Sequence, residues 1–246
     1  MWTLCKKEIS QFFSSLTGYL AILLFLLLNG LFLFLSSSFN ILEYGYASLE
    51  NFFILAPYIL LILIPAVTMR LLTDEWRYGT METLLTRPIS ARSIIIGKYL
   101  AALIVILLAL IPTLIYPICL ELLAEDQNAL DLGATTGAYI GLIFLCSSFA
   151  AISLSASSFT QNPIVGFLSG ASFCLIIYTG PDMLSQISLF RGNIDYLLMQ
   201  LGMQFHFRSI SRGVIDSRDL IYFISLTALF LFLTTKRLEA RKKSGK

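Results

Sequence analysis

From Leu132 to Pro181 the chain carries no charged residue. A helix rising about 1.5 Å per residue needs only about 20 residues to cross roughly 30 Å of hydrocarbon. The stretch is therefore too long for one membrane span and too apolar to coat a soluble domain. It divides at Ser157-Ser-Phe-Thr-Gln-Asn-Pro163, a polar break whose proline suits the first turn of a new helix. Spans are expected at 133–157 and 163–179. The first of these is rich in small residues (Gly137, Gly141, Ser147, Ser148, Ala151, Ser155), which let helices approach closely and mark a packed face rather than a lipid face.

The whole chain fits that solvent. Of its 246 residues 57% are hydrophobic and 13% charged, and the mean hydropathy is +0.81, which no soluble domain of this size would show. Four further spans are expected at 17–35, 52–72, 94–120 and 220–235. Pro57 and Pro65 lie in one of these and Pro112 and Pro117 near the far end of another. The fold class is all-α: a polytopic membrane protein with six transmembrane helices. Residues 1–16 read as an amphipathic helix in the membrane interface, with Trp2, Cys5, Ile9, Phe12, Phe13 and Leu16 on its apolar face and Lys6 and Lys7 at the headgroups. The first apolar run starts too late and is too long for a cleavable signal peptide.

Charge gives the orientation. All but four of the 17 Lys and Arg residues lie in the N-terminal helix, in the stretch around 70–98, or in the basic tail from Lys236. The loops holding Glu43 and Glu50, and Glu121, Glu125, Asp126 and Asp131, carry no Lys or Arg. The positive-inside rule puts both termini in the cytoplasm. Segment 182–218 then lies outside. It mixes Asp182, Arg191, Asp195, His206, Arg208, Arg212, Asp216 and Arg218 with apolar residues, too many charges to insert at roughly 2.5–3.5 kcal/mol each, and reads as short amphipathic helices at the surface.

Between the second and third spans, residues 73–92 are punctuated like a small folded unit. Gly79 can end one helix in the left-handed conformation and Thr80 can cap the next. Glu82 falls in the positively polarised first turn. Met81, Leu84 and Leu85 share a helical face, Pro88 stops that helix, and Ser90 can cap the one after it. A short amphipathic helix held between two spans offers itself to another protein. Near the last span, Ser217 can cap a helix with Asp219 in its first turn.

Glu75, Arg77, Gly79, Thr80, Glu82, Leu84-Leu85, Thr86, Pro88 and Gly97-Lys98 together resemble the loop between the first two core helices of ABC-2 type permeases, the membrane subunits of a class of ABC transporters. That resemblance implies a coupling helix at 73–92 that docks on a separate ABC ATPase subunit. It also implies one transmembrane domain over 1–246 and a second permease copy or related chain completing a dimer. Trp76-Arg77-Tyr78 departs from the pattern, since related loops often carry more basic residues. His206 with Ser211-Arg212-Gly213-Val-Ile-Asp216 and Arg218-Asp219 is similar to the motif before the final span in the gliding-motility-associated and nitrous-oxide-accessory permeases. This subgroup resemblance implies the bacterial inner membrane and a periplasmic accessory subunit, with a role in export or in mechanical work.

Several chemistries are disfavoured. Gly97-Lys98 lacks the upstream glycine and following Ser or Thr of a P-loop, so ATP hydrolysis belongs to another chain and no cofactor is expected. No ionisable residue falls at mid-span, as ion-coupled carriers need. Cys5, Cys119, Cys146 and Cys174 have no metal-ligand spacing and read as small buried hydrophobes. No basic face suits nucleic acid; the natural contacts are membrane lipid and partner proteins. Two alternatives stay open: a membrane hydrolase pairing His206 with Ser172, and a non-transporting anchor for a periplasmic assembly.

Overall fold

The structure is a computed structural model describing residues 1–35, 48–86, 89–124, 130–187, 192 and 195–244. Glu43, Arg87, Pro88, Glu125, Asp126 and Arg191, as well as the side chain of Leu85, lie outside the described residues. The helices are α1 (Trp2–Ser14), α2 (Leu16–Leu35), α3 (Glu50–Arg77), α4 (Thr80–Thr86), α5 (Ala91–Leu110), α6 (Ile115–Leu123), α7 (Leu132–Ser157), α8 (Pro163–Ser185), α9 (Asp195–Gln200), α10 (Met203–Ser211) and α11 (Ser217–Ser244). No strand occurs among the described residues. Among the described residues six helical stretches are long and apolar enough to cross a membrane: α2, α3, α5 continued through α6, α7, α8 and α11. The chain is an all-α polytopic membrane protein.

Helix α7 forms the centre. It packs against α3, α8, α10, α11 and α5. Its small residues do the work expected of them: Gly137, Gly141, Ser148, Ala151 and Ser155 are buried. A Cβ at Gly137 would stand 2.9 Å from the Ile210 carbonyl oxygen, so only glycine admits the end of α10 here. Serines on α7 also join it to its neighbours. The Ser148 hydroxyl lies 3.3 Å from the Phe223 carbonyl and 3.1 Å from the Thr227 hydroxyl on α11, and Ser147 hydrogen-bonds to Tyr99 on α5. With lipid outside, such bonds and close packing replace the hydrophobic effect as the source of helix association. Helix α2, by contrast, turns Leu20, Leu23, Leu27, Leu31 and Phe34 outward.

The punctuation is largely local. Asn162 caps α8 by accepting from the Ile164 N–H at 2.9 Å, with Pro163 in the first turn, and Ser90 caps α5 by accepting from Ser93. Helix α3 runs unbroken through Pro57 and Pro65. The third span changes character at Pro112, where a 3-10 stretch, Ile111–Leu114, joins α5 to α6.

Several expectations need revision. Helix α8 continues past residue 179 through Pro181 to Ser185, and α11 extends the last span at both ends, from Ser217 into the basic tail. Helix α1 buries Cys5, Glu8 and Phe12, while Trp2 and Leu16 are exposed; the inward face thus contains a carboxylate. Helix α10 is amphipathic, laying Met203, Gln204, His206, Phe207 and Ile210 inward, with α7 and α8 among its neighbours, and leaving Arg208 exposed.

Candidate functional site

Helix α3 ends where its sequence loses apolar character. The Tyr78 N–H still donates to the Asp74 carbonyl at 2.9 Å; Gly79 then turns the chain with φ of +71°. A side chain would be strained in that conformation. Thr80 does not act as the expected acceptor cap. It lies inside α4, and its hydroxyl donates to the Glu75 carbonyl at 3.4 Å, occupying one of the free carbonyls at the end of α3. Helix α4 is thereby tied back to α3.

Met81 and Leu84 of α4 differ in burial. Met81 is fully buried and anchors the helix. Leu84 is half-buried and packs against the core of this same chain. The outward surface consists of Arg77, Tyr78, Gly79, Thr80, Glu82, Thr83 and Thr86. Tyr78 is 70% exposed, which makes it the one large aromatic offered on this surface.

Directly beneath lies an ion cluster. Lys98 on α5 has no exposed surface. Its Nζ donates to Glu8 Oε1 at 2.9 Å on α1 and to the Leu71 carbonyl at 2.7 Å, and forms an ion pair with Glu75 Oε1 at 2.8 Å on α3. Lys7 stands 3.9 Å from both carboxylates and supplies the second positive charge from the exposed side. Lys98 and Glu75 therefore face the interior, where they lock α1, α3 and α5 together under α4. Glu75 Oε2 is buried without a hydrogen-bond partner. A cavity of about 420 Å³ opens beside the cluster between Lys7, Gln11, Arg70, Asp74 and Tyr78. Burial, and then the nearby Glu8 charge, push the Cys5 thiol above its ordinary range.

The tail closes the other flank. The Arg241 guanidinium lies 4.5 Å from the centre of the Trp76 ring, and that of Arg237 lies 5.0 Å from Phe159. The end of α3 is thus gripped by α1, α5 and α11. Sequence reasoning passed over Glu8. The available signal was its position three residues after Cys5 and four before Phe12, on the apolar face of an amphipathic helix.

At the opposite end the outer motif folds on itself. His206 Nδ1 lies 2.7 Å from Asp219 Oδ1, its Nε2 lies 2.8 Å from the Gln200 carbonyl, and its ring stacks on Tyr222 with centroids 3.9 Å apart. Asp219 is thereby buried and joined to α10, rather than free in the first turn of α11. Asp216, not Ser217, caps α11, accepting from the Arg218 N–H at 2.9 Å. Gly213 has φ of +87°, a Cβ on it would stand 3.0 Å from the Ala134 nitrogen, and the Ser211 hydroxyl donates to the Arg208 carbonyl. Arg212 and Arg218 are exposed. Both His206 nitrogens are occupied and Ser172 is exposed on α8, so no hydrogen bond joins that pair as a hydrolase would need. Among the described residues no cluster of His, Cys, Asp and Glu could hold a metal.

Compared with known families, residues 2–193 match the family model for ABC-2 family transporter protein. The chain belongs to that family. Membership in the ABC-2 family makes it the membrane component of a transporter. The ABC-2 match takes in α1 through α8, including α4 and the Lys98 cluster, and stops short of α10 and the outer motif. No curated protein matches the chain.

Proposed function

We propose that this ABC-2 protein is a permease subunit that receives work from a separate ABC ATPase through α4. The carrying observation is the contrast between the outside and the base of that helix. Its exposed described residues are polar, with the exposed Tyr78 beside them at the end of α3, while Met81 anchors it against that end of α3, which the Lys98 cluster and the Arg241–Trp76 stack tie to α1, α5 and α11. A push on α4 then moves several helices as one body instead of bending a loop. Tyr78 supplies the kind of aromatic anchor that dominates interfaces, with Arg77 and Glu82 beside it for charge pairing. Leu84, half-buried in its own core, contributes apolar contact at the edge.

In this reading Glu75 and Lys98 act as braces, while Gly79, Thr80, Leu85 and Pro88 shape the segment. The basic N-terminal helix, α4 and the tail face the cytoplasm of a bacterial inner membrane, as the Lys and Arg distribution supports. Two such chains, or this one and a related permease, present two α4 helices to two ATPase subunits. The output is export or mechanical work across the membrane, in the manner of the gliding-motility and nitrous-oxide-accessory group. A periplasmic accessory subunit would meet the α9–α10 end.

The test is co-expression with the cognate ATPase and recovery of the complex by a tag on the permease. Glu82→Arg combined with Tyr78→Ala should reduce recovered ATPase at unchanged permease level. Recovery at the wild-type level would remove α4 as the docking element.

A further inference from the structure

The end of the bundle opposite α4 holds a second cavity, of about 520 Å³, between the starts of α3 and α7, the middle of α8, and α10. That volume is in the range of small-ligand sites. Its wall is aromatic: Phe53 and Tyr58 on α3, Tyr178 on α8 and Phe207 on α10. Tyr58 and Tyr178 meet edge to face at 5.7 Å. Tyr58 lies about 12 Å below Glu50 along α3, at about 1.5 Å per residue, so the apolar wall extends well into the bundle.

The charged residues in this cavity are of both signs and do not pair with each other. Arg208 on α10 and Arg212 at its C-terminal cap line it, and among the described residues neither side chain is paired with an acid. Glu50 and Asp131 line it from the first turn of α3 and the cap of α7. Asp131 spends one carboxylate oxygen on the Ala134 N–H, leaving the other for a ligand. Between them sits Gln204. It is 7% exposed, it lines the cavity, and its carboxamide has no hydrogen-bond partner among the described residues. Its amide is open to the cavity and free to hydrogen-bond to a ligand there.

We propose that this cavity binds a zwitterion carried on an apolar body, with the anionic group held by Arg208, Arg212 and the Gln204 amide and the cationic group held by Glu50 and Asp131. A simple anion would be repelled by the two carboxylates, and a wholly apolar ligand would strip water from four exposed charges without replacing its hydrogen bonds. The aromatic wall takes the apolar body. An ethanolamine phospholipid and a free zwitterionic solute share this head chemistry.

The test is native mass spectrometry of the detergent-purified full chain, titrated separately with phosphatidylethanolamine, phosphatidylglycerol and phosphoethanolamine. Phosphatidylethanolamine should bind the wild type in preference to phosphatidylglycerol. Arg208→Gln with Arg212→Gln should weaken it about tenfold or more, because charge-assisted hydrogen bonds are lost. Glu50→Lys should reverse the preference toward phosphatidylglycerol, a gain that misfolding cannot mimic. Equal occupancy by phosphoethanolamine alone would overturn the role given to the apolar body and assign the site to a free zwitterion. Equal binding of the two lipids, unchanged in all variants, overturns the proposal.

Discussion

Replacing Lys98 with methionine removes the single group that Glu75, Glu8 and the Leu71 carbonyl share. Both carboxylate oxygens lie within 2.9 Å of the same nitrogen, so without it they confront each other across the space it leaves. Breaking a buried ion pair by deleting one partner costs roughly 3–5 kcal/mol, mostly because a charge stays buried and uncompensated. Lys7 recovers part of this. It is 3.9 Å from each carboxylate but 57% exposed at its side chain, and a solvent-exposed pair is worth only about 0–1 kcal/mol. The net loss is therefore about 2–4 kcal/mol, or roughly 5–15 °C in melting temperature for a chain of this size. The assay is the fraction of protein remaining monodisperse by size-exclusion chromatography after stepped heating in detergent. The same reasoning makes a second demand. Lys98→Met combined with Glu8→Leu and Glu75→Leu removes all three charges, and should recover most of the loss, since well-packed apolar replacements of buried ion groups are often neutral. A melting temperature for Lys98→Met within about 1 °C of wild type would refute the reasoning. So would a triple variant as unstable as the single one.

Other outcomes follow from the same geometry. Met81→Ala should cost about 2–5 kcal/mol of local packing and show as faster protease cleavage between Tyr78 and Ser90, with the spans intact. Gly79→Val should strain the turn at φ +71° by at least about 1–2 kcal/mol and lower ATPase recovery without lowering insertion. Because burial and Glu8 push its thiol up, Cys5 should resist N-ethylmaleimide at pH 7 in the folded chain and react only after denaturation in sodium dodecyl sulfate; labelling of the folded chain would contradict its placement. Cysteines placed at Thr83 and Asp195 should react with impermeant maleimide from opposite sides of the membrane, Asp195 from outside, and labelling of both from one side would reverse the topology.

What was legible in the sequence was what a membrane imposes locally. A charge-free run must become spans, and Asn162-Pro163, Gly79 and Ser90 act through their own backbone neighbours, so their roles could be read without a fold. The span ends were less so: α8 continues as helix past residue 179 with Pro181 inside it, and α11 runs on into the basic tail, whereas apolar length reports only the bilayer. The Lys98 cluster was hidden because its members stand at positions 8, 75 and 98 and meet only when α1, α3 and α5 pack. For the same reason Glu75 and Lys98 entered the sequence reading only through the coupling-loop resemblance, and Glu8 did not enter it. His206 and Asp219 are only 13 residues apart, yet their pairing depends on α10 folding back on α11, which periodicity cannot report.

The most direct measurement of the central proposal is photo-crosslinking from Thr83, an exposed residue on α4, with a benzoyl-phenylalanine introduced there in cells that express the native partners. Irradiation should yield one major protein adduct, and mass spectrometry should identify its partner as an ABC ATPase chain bearing a P-loop. The same probe at Asp195, at the opposite end of the bundle, should not capture that chain. Capture of the ATPase from Asp195 and not from Thr83 would contradict the account.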